Sequence, residues 1–151
     1  MSATTVPAVR AALVTRVAAL VAASGNTETI TLYGGPSQGV PESYIAVADT
    51  ASGVKRDQRT LPLRKTSSRT ETYDLRLVIW CFTGDHDAQR AVTEKAWGLA
   101  TLIDDGLRDE YTLGGLVTSA LPSSFDDSDF LLNEGRAAQI VVLISVTVTR
   151  A

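Results

Sequence analysis

One short stretch of the chain holds most of the residue types that are suited to chemistry. Cys81 lies inside an apolar run, and Asp85, His86 and Asp87 follow within six residues; this cysteine and this histidine are the only ones in the chain. A histidine beside carboxylates can bind a cation or move a proton, and a cysteine with a nearby base can act as a nucleophile. These residues therefore decide whether the sequence indicates an enzyme.

Local patterns favour a structural role for the same residues. Adjacent residues of a helix point in different directions, so the three side chains do not converge easily on one ion. We interpret Asp85 as a helix N-cap, Asp87 as a favourable first-turn charge and His86 as solvated. Cys81 lies in an apolar strand pattern, which is typical of a buried small side chain. We therefore assign no catalytic, cofactor-binding or metal-binding residue and no cofactor; a small enzyme using Cys81 and His86 stays as a remote alternative.

A second acidic run resembles a cation-binding loop only in composition. Asp126, Asp127 and Asp129 are followed by Glu134 and Gly135. A calcium loop needs ligands at fixed offsets, a central glycine and a terminal glutamate at about position twelve, and these two residues fall elsewhere. We predict that the segment "PSSFDDSDF" is a solvated acidic loop.

Composition limits the class of protein. The chain has 151 residues, a net charge of -3 and 44% apolar residues, which indicates one soluble domain over residues 1–151. The acidic balance argues against a nucleic-acid-binding domain, and one cysteine excludes an internal disulfide or a zinc site with several cysteines. We find no apolar stretch of the roughly 20 residues that cross a bilayer, so we predict no membrane span and synthesis in the cytoplasm.

Apolar periodicity predicts two helices. Steps of three and four residues indicate a helix over about residues 6–23, which Thr5 can cap and Gly25 can end. A second helix is predicted from Asp85 to Leu107. Its apolar stripe consists of Ala88, Val92, Ala96, Leu99, Ala100 and Ile103.

Alternating patterns predict five strands, over residues 29–33, 43–48, 71–82, 116–121 and 136–149. The last alternates over fourteen residues, which is longer than the usual five or six. The long strands have one apolar face and one mixed face. This order predicts an α+β fold, with a mixed or antiparallel sheet and both helices packed on one face.

Residues 50–70 form the one anomaly, because they show almost no apolar periodicity. They contain six basic residues and one acidic residue. Long structureless segments in compact domains are often functional, so we predict a flexible basic loop that becomes ordered on an acidic or phosphate-bearing partner. A merely solvated loop is the alternative. The predicted partner-binding residues are Lys55, Arg56, Arg59, Arg64, Lys65 and Arg69.

The order of these features resembles a known family. An N-terminal helix, short strands with Gly/Pro turns and a basic loop precede the strand "LRLVIWCFTGD". An Ala-Val-x-x-x-Ala helix and the terminal strand "AAQIVVLISVTVTR" follow. Together they resemble the tail terminator proteins of long-tailed bacteriophages, the lambda-like minor tail protein family. The Ala, Val, Thr and Arg content resembles versions from phages of actinobacteria. The likeness covers nearly the whole chain in order, length and pattern, without a diagnostic motif.

The resemblance implies a non-enzymatic virion protein, assembled in the host bacterial cytoplasm. Six copies would form a ring on the end of the tail tube, stop tube polymerisation and face the head–tail connector. The implied partners are identical copies, the tail tube protein and connector proteins. DNA would pass through the lumen without sequence-specific binding, and no membrane is involved. Another neck protein, such as a connector or stopper, and a tail-tube subunit stay open as alternatives.

Overall fold

The computed structural model describes residues 4–34, 43–61 and 66–150. In these ranges the chain forms two helices and six strands, which confirms the predicted α+β class. The elements are α1 Val6–Ala23, β1 Ile30–Tyr33, β2 Ser43–Thr50, β3 Lys55–Leu61, β4 Thr66–Thr83, α2 Gln89–Asp109, β5 Ser119–Leu132 and β6 Gly135–Arg150.

All six strands belong to one sheet. Its order is β1-β2-β4-β6-β5, and β3 pairs with β4 beside this path. Only β1 and β2 are parallel among the described pairs. β2 pairs with β4 over residues 75–81 and β3 pairs with it over residues 66–72. The two strands therefore follow one another along the same edge of β4.

The hydrophobic core lies on one face of this sheet. In β4, every second residue from Tyr73 to Cys81 is buried, and in β6 every second residue from Ala138 to Val148. Helix α1 packs on β1 and β2, whereas α2 packs on β4, β5 and β6. Because the buried side chains of both helices join the same core cluster, the predicted packing on one face is confirmed.

Helix α1 has the predicted bounds and adds four buried side chains to the core: Val9, Leu13, Val17 and Val21. Its end is followed by Gly25 at a φ of 83°, a left-handed conformation that favours glycine. Thr5 occupies the N-cap position, but its side chain makes no cap hydrogen bond and instead donates to Glu71.

The composition of α1 also meets the requirement for a membrane crossing, with 18 residues and a mean hydropathy of 1.7. It is the one such helix in the part of the chain that the structure describes. In the structure, Arg10 and Arg16 donate hydrogen bonds to the carbonyl oxygens of Val47 and Gly106. Helix α1 thus packs against the sheet, and its buried side chains belong to the hydrophobic core.

Helix α2 begins four residues later than predicted, at Gln89, and ends at Asp109. The predicted N-cap at Asp85 is wrong, because Ala88 occupies that position. The side chain of Asp85 accepts the backbone N–H of Asp87, and its carbonyl accepts that of Ala88. Aspartate often binds backbone two residues further on, and here this turn competes with the start of the helix.

The predicted acidic loop is also wrong, because these residues lie in the fourteen-residue strand β5. A bulge between Pro122 and Ser124 shifts the register against β6. Ala120 faces the helices before the bulge, and Phe125 does so after it. A bulge interrupts the two-residue period, and aspartate is depleted in strands. Backbone pairing with β6 forms the strand despite the interrupted period and the unfavourable aspartates.

The described part of residues 50–70 does not form the predicted loop, and residues 62–65 lie outside the described residues. Residues 55–61 are β3, and β4 begins at Thr66, so the two strands form an antiparallel hairpin from Lys55↔Thr72 to Leu61↔Thr66. Pairing between β4 and β6 begins only at Arg69, so the hairpin continues past β6. Both alternating sets of positions in this segment are polar in the sequence, so the segment has no apolar period that would indicate a strand.

The close approach of the two helices gives a first prediction. A Cβ atom on the buried Gly106 would collide with the side chain of Leu20, whereas Gly98 in the same helix is exposed and has open space. We expect Gly98→Ala to stabilise the protein by about 0.5–1 kcal/mol, and Gly106→Ala to destabilise it by about 1–3 kcal/mol, in urea unfolding. Adding Leu20→Ala should remove most of the second penalty; additive effects of the two changes would contradict this contact.

Candidate functional site

The four residues that the sequence singled out for chemistry do not form a site. Cys81 is completely buried, and its Sγ lies 3.5 Å from Ser43 Oγ. Burial raises the pKa of this thiol, and the contact with Ser43 only partly opposes the shift. His86 is exposed, with Nε2 3.1 Å from the carbonyl oxygen of Asn133 in the β5–β6 turn. A buried thiol of raised pKa has little thiolate character, which is the opposite of what a nucleophile needs.

The three aspartates of β5 point to opposite faces of the sheet. On the helix side, Asp127 accepts a hydrogen bond from Trp97 Nε1 at 3.3 Å, and Asp129 accepts one from Thr93 Oγ1 at 3.1 Å. Asp126 directly precedes Asp127 in the strand and therefore faces away from the helices. Among the described residues, no group of three or more His, Cys, Asp or Glu side chains is arranged to hold a metal ion.

A groove of about 540 Å³ opens between the α1–β1 connection and α2. Its polar side chains include Lys95 and Glu28, which form an ion pair of 3.1 Å with each other. A ligand would have to compete with this pair, so the groove does not present a ready-made polar site.

Burial of Cys81 gives a second prediction. We expect alkylation of the native thiol by iodoacetamide to be at least about a hundred times slower than in urea-unfolded protein, because the reagent needs local opening and a thiolate. Mass spectrometry after a timed quench measures both rates. Rapid labelling of the native protein at neutral pH would reopen the catalytic alternative.

Four of the six predicted basic residues fall on the β3–β4 hairpin. Lys55 and Arg56 are exposed at the start of β3, and Arg69 is half-buried on β4 two rungs further out. Arg59 lies on β3, whereas Arg64 and Lys65 lie outside the described residues. We refer to Lys55, Arg56 and Arg69 as the basic patch.

A buried carboxylate at the base of the hairpin is the residue that sequence reasoning missed. Glu71 is 3% exposed, and its Oε1 accepts the backbone N–H of Thr5 at 2.9 Å and the Thr5 hydroxyl at 2.6 Å. Thr4 Oγ1 donates to the same oxygen, and Arg56 Nε donates to Oε2 at 3.2 Å. These contacts tie the start of α1 to the hairpin. The available signal was a glutamate in phase with Tyr73 and Leu75, at a core position of β4.

The hydrogen bonds to Glu71 decide its charge. Burial by itself raises the pKa of this carboxyl, but donors on Thr5, Thr4 and Arg56 favour the ionised form and leave the pKa below its ordinary value of 4.5. A lowered folded-state pKa means that the carboxylate stabilises the fold fully above about pH 4.5. This contribution is lost as the pH falls through the folded-state pKa.

Glu71→Gln gives a third prediction. The amide keeps the shape but cannot accept from all donors as a charge does, so we expect a loss of about 1.5–3 kcal/mol at pH 7. The difference from wild type should shrink when unfolding is measured at progressively lower pH below 4.5. Asp105→Asn, which alters an exposed carboxylate on α2, is the control and should change stability little. A difference that is independent of pH would contradict the role of the charge.

The face of the sheet opposite the helices carries an aromatic strip. Trp80 of β4 stacks on Tyr44 of β2 with ring centroids 6.5 Å apart, and contacts Phe130 of β5 at 5.7 Å. Half-buried Val141 and Leu143 lie on the same face of β6. This face combines apolar side chains with partial exposure.

Strand β5 forms a free edge of the sheet, and it is acidic. Residues 123–129 are all exposed. The strand contains three aspartates and no basic residue. We refer to Asp126, Asp127 and Asp129 as the acidic patch. The basic and acidic patches thus lie on opposite edges of one sheet, because β3 flanks β4 on one side and β5 flanks β6 on the other.

Comparisons with known proteins identify the fold. No model of a known protein family matches the chain, and a search of curated proteins gives no match. Among solved structures, the chain is similar to a chain in the virion of a native gene transfer agent (GTA) particle. The TM-score is 0.60 and the identity 12%, with 99% of this chain and 100% of that chain covered. At this identity the likeness establishes a shared fold over the full length of both chains.

Proposed function

We propose that this chain is a structural protein of a phage-like virion, and that it acts there as the tail terminator. The observation that carries the proposal is the fold shared with a virion chain over 99% of this chain. The order of elements that resembles tail terminators extends the proposal from a virion protein to this position in the neck. In this role the protein caps the tail tube, ends its polymerisation and offers a surface to the head.

The side chains support a role without catalysis. Cys81 is core, and His86 contacts a turn carbonyl. Meanwhile the exposed features are sheet edges, an aromatic strip and a charged hairpin, which are surfaces for protein contacts rather than a pocket for a substrate.

The proposed assembly is a ring, with six copies implied by the resemblance. A ring needs two different, complementary patches on each copy. Its further partners are the tail tube protein and the head–tail connector proteins, and DNA passes through the lumen without sequence-specific contacts. The protein assembles in the cytoplasm of the bacterial host, for which an actinobacterium is proposed, and resides in the virion.

The β3–β4 hairpin is the proposed contact to the tube or the connector. It continues past the end of β6, so its outer rungs are not flanked by a third strand among the described residues. Arg59 of β3, together with Arg64 and Lys65 of the sequence between β3 and β4, suits an acidic protein surface. A basic lumen would retain DNA, which favours protein over DNA as the partner.

Electron microscopy with purified tail tubes tests the proposal, which is our fourth prediction. We expect closed rings one subunit thick, and tubes that carry a ring at one end and no longer extend when tube protein is added. Long tubes of this chain alone would identify a tail-tube subunit, and rings that bind only connector would identify another neck protein. A protein that stays monomeric and leaves the tubes uncapped would contradict the proposal.

A hairpin variant sharpens this test. Arg59→Gln/Arg64→Gln/Lys65→Gln should reduce capping at least about tenfold, because it removes three charges from the proposed contact. The matched control is Arg90→Gln/Arg108→Gln, which removes exposed charges from α2. Exposed i,i+4 pairs contribute little to stability, so this control should cap like wild type.

A further inference from the structure

We infer that the acidic patch on β5 of one copy binds the basic patch on the β3–β4 hairpin of the next copy, so that identical chains associate head to tail. This inference rests on the proposed function, because it assigns the contact between neighbouring subunits of the ring. It adds the identity of the two surfaces, which neither the fold likeness nor the resemblance specifies.

The edge of β5 is open to a partner. Beyond the bulge, residues 124–132 pair with β6 on one side, and no other described strand lies on the other side. Apolar side chains accompany the aspartates on this edge, since Phe125 is 36% exposed and Leu131 is 66% exposed. Exposed backbone groups and apolar side chains together make an adhesive edge.

The charge on this edge is unbalanced within the chain. None of the three aspartates of the acidic patch forms an ion pair with a described residue. Aspartate is unfavourable in strands, so three of them within four residues require a compensating role. Two roles are possible: protection of the edge against pairing, or selection of a basic partner. These roles predict opposite effects of removing the charge.

The basic patch supplies the complementary surface. Arg56 is engaged by Glu71, but Lys55 and Arg69 form no ion pair with a residue whose side chain the structure describes. The adjacent Val54 is 38% exposed, so this patch also combines charge with apolar surface. The positive charges of Lys55 and Arg69 and the apolar surface beside them thus complement the acidic edge.

The positions of the two patches favour head-to-tail association over a two-fold dimer. From β3 through β4 and β6 to β5 there are three strand spacings, or roughly 14 Å. Along β4, the rung of Lys55 is Thr72 and that of Asp127 is Ile79, which adds roughly 24 Å. The patches therefore lie diagonally across the sheet on opposite edges, so an edge-to-edge contact uses one patch of each copy and leaves the other patch free for a further copy. Unlike patches that bind each other generate a ring when the rotation closes.

Two variants, each lacking one patch, test the inference, which is our fifth prediction. The first is Asp126→Asn/Asp127→Asn/Asp129→Asn, in which the amide oxygen can still accept the hydrogen bonds from Trp97 and Thr93. The second is Lys55→Gln/Arg69→Gln, which leaves the Arg56–Glu71 pair intact. Sedimentation velocity at low salt and native mass spectrometry measure the association of each.

We expect wild type to associate at low salt and to dissociate as salt increases, since exposed charges are screened within a Debye length. Each variant alone should associate at least about tenfold more weakly. An equimolar mixture should form a complex of two chains that grows no further, because each variant keeps one intact patch. This limited 1:1 complex is the signature of head-to-tail contacts.

A third variant controls for net charge. Asp105→Asn/Asp109→Asn/Glu110→Gln also removes three acidic charges, from the exposed end of α2, and should associate like wild type. Stronger association of the β5 variant would assign its aspartates to edge protection and overturn the inference. Wild-type association in both single-patch variants would overturn it too, while leaving a ring-forming tail terminator in place. Wild type that stays monomeric, at low salt and beside tail tubes, would remove the proposed function and this inference together.

Discussion

The pairing of β4 with β6 is the constraint on which the rest of the structure depends. Fifteen residue pairs join the two strands, from Arg69↔Arg150 to Thr83↔Arg136. Alternate side chains on both strands are buried against the helices, so a slip of one residue would turn the whole apolar set to the other face. Every other strand attaches to this pair: β2 and β3 along β4, β5 along β6, and β1 outside β2.

The same pairing explains why the residues that could do chemistry do not form a site. Cys81 is in phase with Leu77 and Ile79, and so it points into the core, while His86 lies beyond the end of β4 in the turn before α2. Glu71 is in phase with the same set, but it lies where the start of α1 supplies hydroxyl and backbone donors. Glu71, the one buried charged side chain among those that the structure describes, is therefore compensated locally, and it fixes the hairpin to the body.

The core also explains how a chain of 12% identity can have the same fold. Packing of one sheet face against two helices requires apolar side chains of suitable volume at alternating positions, and many sequences meet this condition. The edges and the outer face of the sheet are under no such constraint. They are the parts that can specialise for a particular neighbour, and in this chain they carry the opposite charges and the aromatic strip.

The sequence by itself determined α1 over residues 6–23, the long β6 and the packing of both helices on one face. Burial requires apolar residues at a regular spacing in each of these elements, and that spacing is visible in the sequence. Only the tertiary structure decided the rest. The β3–β4 hairpin is polar on both faces, the bulge at Ser123 breaks the period of β5, and Asp85 diverts the start of α2 into a turn. These segments obtain their backbone hydrogen bonds from neighbours distant in sequence or from a local side chain. Such partners leave no periodic pattern of apolar residues in the sequence.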